Sequence, residues 1–93
     1  MKTKKSDLTW RLYVLRCADD TLYTGITTDL VRRVYEHNQG KGAKYTRGRT
    51  PVEIIYFECH DSRSSALKAE ASFKKLSRKK KLETICEKEN ESR

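Results

Sequence analysis

Two short β-forming runs joined by a polar turn constrain this chain more than anything else in it. Residues 10–17, WRLYVLRC, alternate Leu12 and Val14 against Arg11 and Tyr13, and residues 22–27, LYTGIT, read as the return strand beyond the polar Ala18-Asp19-Asp20-Thr21. With 93 residues in all, the elements that follow have to close over this hairpin in one small core. Each strand carries a tyrosine, Tyr13 and Tyr23. Side chains alternate faces along a strand, so an odd number of loop residues puts the pair on one face and an even number separates it.

The rest of the chain supplies helices and one more strand. Thr28 or Asp29 is the expected N-cap of a helix in which Leu30 and Val34 form an apolar i, i+4 pair, with Arg33 and His37 as a second pair beside it. Gly40 and Gly42 end that helix, and Lys41, Lys44, Arg47 and Arg49 follow with no acidic residue among them. Residues 52–57 read as a third strand, with adjacent Ile54 and Ile55 suggesting burial on both faces. From Ser62 on, Ala66, Ala69, Phe73 and Leu76 recur at helical spacing, and Glu70 lies close enough to that stripe to need a partner. A last helix over residues 77–87 carries the basic run 78–81 with Leu82 and Ile85 for packing. The pattern is α+β, with a single domain over residues 9–86 and flexible tails expected at 1–8 and 87–93.

Charge narrows the partners. The formal net charge is +8 and 37% of residues are charged, a field that favours a polyanion, with nucleic acid ahead of an anionic membrane surface. No stretch approaches the roughly 20 apolar residues of a membrane span, and the first residues lack the apolar segment of a secretory signal, so a cytoplasmic protein is expected. Cys17, Cys59 and Cys86 are odd in number and widely spaced, which fits free thiols, buried or half-buried, in a reducing compartment. No CxxC pair anchors a zinc site on them with His60.

Taken one at a time, the polar candidates have ordinary explanations. Tyrosines are common in half-wet strands, a helical arginine or histidine is usually solvated, Glu70 can pair with Lys68 or Lys74, and a basic loop is usually a solvated face. Their order along the chain is what changes the reading. Arg11-Leu12-Tyr13, then Tyr23-Thr24-Gly25, then Arg33 and His37 in DLVRRVYEH, and much later Glu70 in ALKAEASFKKL resemble the GIY-YIG nuclease superfamily, in particular its small stand-alone YhbQ-like group. The resemblance spans roughly residues 10–85, and Tyr45 in GAKYTRGRTP matches the basic loop of the small group. Arg11 stands where the first motif has glycine, and Thr24 where the second has isoleucine. The asparagine that several nuclease branches carry beyond the glutamate has no counterpart before Asn90.

The resemblance implies a three-stranded antiparallel sheet flanked by helices and a metal-dependent endonuclease acting on DNA, with damaged or branched DNA as a suitable substrate. It assigns catalysis to Tyr13, Tyr23, Arg33, His37 and Glu70, a structural role to Gly25, and one divalent ion, Mg²⁺ ahead of Mn²⁺, to Glu70. Lys41, Lys44, Tyr45, Arg47, Arg49 and Lys74 become nucleic-acid contacts. These residue types suit the chemistry. Arginine clamps phosphate oxygens through its planar fork, a lone carboxylate suits an ion that keeps much of its water, and a phenol can relay a proton if neighbours lower its pKa. His37 could donate to phosphate, order a tyrosine or act as an acid. The alternative is a nucleic-acid-binding module that keeps the scaffold without turnover. A protein partner could supply targeting to so small a domain.

Overall fold

The computed structural model describes residues 9–91, with side chains described through Lys88; the expected tail over 1–8 lies outside the described residues. Strand β1 (Trp10–Arg16) is central, pairing antiparallel with β2 (Leu22–Thr27) on one side and β3 (Glu53–His60) on the other. The hairpin opposes Arg16 to Leu22 and Tyr13 to Gly25, leaving five loop residues, 17–21. That odd number puts Tyr13 and Tyr23 on one face. Asp20 turns the loop at φ 71°, and Asp19 Oδ1 accepts from the Thr21 backbone and hydroxyl.

Strand β3 starts one residue later and ends three later than residues 52–57. Val52 leaves the ladder because the Asn38 side chain takes both its backbone groups, Val52 N–H donating to Oδ1 at 2.7 Å and Nδ2 donating to its carbonyl at 3.2 Å. At the other end Trp10 pairs with His60 and carries the strand on. A bulge between the pairs Val14–Tyr56 and Leu15–Ile54 leaves Ile55 as the extra residue. Ile54 and Ile55 therefore join opposite cores, as their adjacency suggests.

Those cores lie on the two faces of the sheet. Leu12, Val14 and Tyr56 pack with Ala69, Phe73 and Leu76 from α2 (Arg63–Lys74) and its exit, and with Ile85 of α3 (Arg78–Glu91). Tyr13, Leu15, Cys17 and Val52 pack with Leu30 and Val34 of α1 (Leu30–Asn38). Each fully buried large side chain contributes about 1.5–3 kcal/mol. Asp29 caps α1 by accepting from Arg32 N–H, and Ser62 caps α2 by accepting from Ser65 N–H. Helix α3 continues to Glu91, into the segment expected as a tail, although among the described side chains Ile85 is the last buried one and Glu87 and Lys88 are exposed. Cys17 is buried, but Cys59 and Cys86 are exposed rather than half-buried, the one on edge strand β3 and the other next to the inward Ile85.

Candidate active site

The α1 face of the sheet brings three rings together. Tyr13 and His37 are 1% and 0% exposed, and the Tyr13 hydroxyl is hydrogen-bonded to His37 Nε2 at 3.0 Å. Tyr23 is half-buried beside them, its ring centroid 6.3 Å from Tyr13 and 5.2 Å from His37. Gly25 makes room for this. A Cβ built there would lie 2.6 Å from Tyr13 Oη and 2.8 Å from Cζ, and a ring this buried has nowhere to move. His37 is therefore no solvated helix histidine: it is fully buried, with Nε2 bonded to the Tyr13 hydroxyl.

The far side of His37 is held by the segment after α1. His37 Nδ1 is 2.8 Å from Thr46 Oγ1, and Thr46, itself fully buried, donates to the Ala43 carbonyl at 3.0 Å. Gly42 lies flat against the imidazole, where a Cβ would fall 2.3 Å from Nδ1. Neither Thr46 nor Gly42 is a candidate from the sequence. The only signal for Thr46 was its place beside Tyr45 in the basic loop.

Arg33 is half-buried, its guanidinium Nη1 bonded to Glu36 Oε1 at 3.0 Å and close enough to Tyr13 to favour the phenolate. That help is outweighed. Burial, together with the charges of Tyr23 and Glu70, pushes the Tyr13 pKa up from 10.0 to about 12. The lowered phenol pKa expected for a proton acceptor is the reverse of what this environment produces. Burial, reinforced by the Arg33 charge, pulls the His37 pKa below 6.5, so the imidazole is neutral at pH 7.

Glu70 on α2 is the remaining member. Its carboxylate acts electrostatically on Tyr13 and is 19% exposed, but Lys74, one turn on, holds Oε2 at 3.1 Å. Lys74 is thus a partner of the carboxylate in this structure, with its own side chain 53% exposed. Among the described residues no three His, Cys, Asp or Glu side chains group as a metal cage. One half-buried carboxylate fits an ion that takes its other ligands from water and a substrate phosphate.

The basic loop divides into two parts. Lys41, Lys44 and Arg47 are exposed. Arg49 instead bonds Asp19 Oδ2 at 2.6 Å and stacks 4.4 Å over the Tyr45 ring, and Tyr45 stacks in turn on Tyr23 at 5.9 Å between centroids. The loop is thereby joined to the ring cluster rather than hanging beside it.

Comparisons with known proteins identify the family and the fold. A family model described as the GIY-YIG catalytic domain matches residues 9–83. A UPF0213 protein of Haloquadratum walsbyi is 59% identical over 70 residues, covering 75% of this chain and 79% of that protein. One from Streptococcus pyogenes is 52% identical over 94 positions, covering 100% of this chain and 98% of its own. The solution NMR structure of a UPF0213 protein from Bacillus halodurans is 42% identical with a TM-score of 0.56, covering 84% of this chain and 83% of its own. That of a protein from E. faecalis is 46% identical with a TM-score of 0.57, covering 90% and 88%.

Proposed function

The chain belongs to the GIY-YIG catalytic-domain family, and on that premise we propose that it is a divalent-metal-dependent endonuclease that hydrolyses phosphodiester bonds, with damaged or branched DNA as the favoured substrate. The observation that carries this reading is the buried Tyr13–His37 hydrogen bond beside Tyr23, with Arg33 and Glu70 both acting on Tyr13. Structural cores rarely gather a phenol, an imidazole, a guanidinium and a carboxylate, because each is costly to desolvate. The exposed Lys41, Lys44 and Arg47 supply cations for the phosphate backbone. Without an additional recognition domain among the described residues, selection by DNA shape suits this surface better than a long base sequence.

Glu70 would hold the metal ion, which when bound stabilises charge on the phosphoryl group and makes water more acidic. Arg33 clamps a non-bridging phosphate oxygen, exchanging its Glu36 bond for a bidentate one. Tyr23, the more exposed tyrosine, orients the attacking water. A phenol with pKa about 12 is no resident phenolate at pH 7, so Tyr13 can take the water's proton only as its own proton leaves. Its hydrogen-bonded neighbour, the neutral imidazole at Nε2, is the acceptor within reach. The water oxygen then bonds to phosphorus, the bond to the leaving oxygen breaks and that oxygen takes a proton from solvent, while His37 gives its extra proton back through Tyr13 to solvent and the site is reset.

The Glu70–Lys74 pair favours a second reading, a binding module without turnover, since a carboxylate satisfied by a lysine has less call for a metal. One assay separates them. Wild type, Glu70→Ala, Arg33→Ala and Tyr13→Phe are incubated with supercoiled, single-stranded and branched DNA in Mg²⁺ or Mn²⁺. The nuclease reading expects metal-dependent cutting by wild type and a loss of at least ~10²-fold in each variant. Binding without cutting by folded wild type supports the module, and equal cutting by all four puts the chemistry elsewhere.

A further inference from the structure

We propose that Thr46 is a positioning residue that selects the tautomer of His37 and so sets the direction of the Tyr13–His37 hydrogen bond. The deduction rests on counting protons. A hydroxyl has one proton to donate and lone pairs to accept with, a carbonyl can only accept, and a neutral imidazole has one N–H and one bare nitrogen. Thr46 Oγ1 lies 3.0 Å from the Ala43 carbonyl, which accepts the Thr46 backbone N–H at 3.1 Å on one lone pair and the hydroxyl proton on the other, inside the same tight turn. The Thr46 lone pair then faces His37 Nδ1 at 2.8 Å, so Nδ1 carries the imidazole proton. Nε2 is left bare, and the Tyr13 hydroxyl at 3.0 Å donates to it.

A second group competes for Nδ1. The Ala43 N–H approaches it from 3.4 Å and would require Nδ1 to accept, which would move the imidazole proton to Nε2 and point it at Tyr13. That contact is longer than the Thr46 bond by 0.6 Å, from 3.4 Å and 2.8 Å, and a hydrogen bond at 3.4 Å is weak. Thr46 therefore decides between two arrangements that the same backbone could support. Bonds at both nitrogens, to Tyr13 at Nε2 and to Thr46 at Nδ1, hold the ring in this orientation with Gly42 packed against it.

The catalytic consequence rests on the nuclease reading above, because only a bare Nε2 can receive the Tyr13 proton. Thr46 touches neither substrate nor metal in that scheme and acts through His37 alone. Valine matches threonine in shape but offers Nδ1 no acceptor, leaving the Ala43 N–H as its nearest partner and reversing the tautomer. Serine keeps the hydroxyl.

The test reads the tautomer and the turnover separately. Imidazole ¹⁵N shifts of His37 are recorded for wild type, Thr46→Val and Thr46→Ser, and kcat and KM are measured on the DNA that wild type cuts. Expected are Nδ1–H in wild type and Thr46→Ser, Nε2–H in Thr46→Val, and a kcat for Thr46→Val lower by ~10²-fold with KM within about two-fold of wild type. Thr46→Ser keeps most of the turnover, which a general packing defect would not allow. Nε2–H in wild type, Nδ1–H retained in Thr46→Val, or unchanged kcat in Thr46→Val overturns the assignment. If wild type cuts nothing, the nuclease reading fails while the ¹⁵N spectra still decide the role of Thr46.

Discussion

Lys74 Nζ stands 3.1 Å from Glu70 Oε2, one turn further along α2, so the carboxylate offered to a metal is already held by a cation. The lysine side chain is 53% exposed, which limits the bond to the few tenths of a kcal/mol of a solvated i, i+4 pair. Removing it takes away a competitor. Lys74→Met is expected to tighten divalent-ion binding by about two-fold, the equivalent of ~0.4 kcal/mol, read by Mn²⁺ titration with electron spin resonance. Weaker Mn²⁺ binding in the variant would mean that Lys74 orients Glu70 instead of competing for it.

Gly25 and Tyr13 oppose each other across the hairpin, and the tyrosine ring occupies the space a side chain would fill. Gly25→Ala should cost about 1–3 kcal/mol in urea unfolding through overpacking, and should also disturb the Tyr13–His37 bond. The near-UV circular dichroism of the ring cluster reports the second effect. A stability within 0.5 kcal/mol of wild type, the usual range of a neutral surface change, would show that the ring yields easily.

Burial raises the pKa of Tyr13 from 10.0 to about 12, which makes folding sensitive to alkali. The unfolded chain ionises this phenol at 10.0 and the folded chain only near 12, so the contribution is whole below pH 10 and is lost as pH climbs to 12. Two units correspond to roughly 2–3 kcal/mol. Tyr13→Phe is expected to be less stable at pH 8, where His37 Nε2 loses its partner, yet to decline less between pH 10 and 12. Chemical unfolding at a series of pH values gives both slopes, and parallel declines would place the phenol in a wetter setting.

The basic loop should split in its response to salt. Lys41, Lys44 and Arg47 are exposed, so alanine at any of them should lower nucleic-acid affinity and reduce the slope of log K against log salt by about one. Arg49 is neutralised by Asp19, and Arg49→Ala should change the slope by much less while loosening Tyr45 from Tyr23. Fluorescence anisotropy over a salt series measures this. Equal slope changes at all four positions would mean that DNA displaces Asp19.

Much of the architecture was legible because it follows from local periodicity. Alternation in residues 10–17 and 22–27 defined the hairpin, and the i, i+4 pairs Leu30–Val34 and Arg33–His37 defined α1 and its inward edge. Asp29 and Ser62 cap as short polar residues do before an apolar run. The true start of β3 was not legible, since it depends on Asn38 capturing Val52 from 14 residues away. Thr46 and Gly42 were invisible for the same reason. Nothing in KGAKYTRGR says that a histidine ring from the preceding helix lies against both.

By itself the sequence determined which elements form and which reactive side chains share the chain, because helix and strand periods act over a few residues. It also determined family membership, through ordered motifs that no single residue could have carried. Tertiary structure alone decided what those side chains are worth chemically. Burial moved Tyr13 away from the phenolate and His37 toward the neutral imidazole, and the fold paired Arg49 with Asp19, 30 residues apart. Desolvation and hydrogen-bond direction depend on what surrounds a group in three dimensions, and those surroundings come from segments distant along the chain.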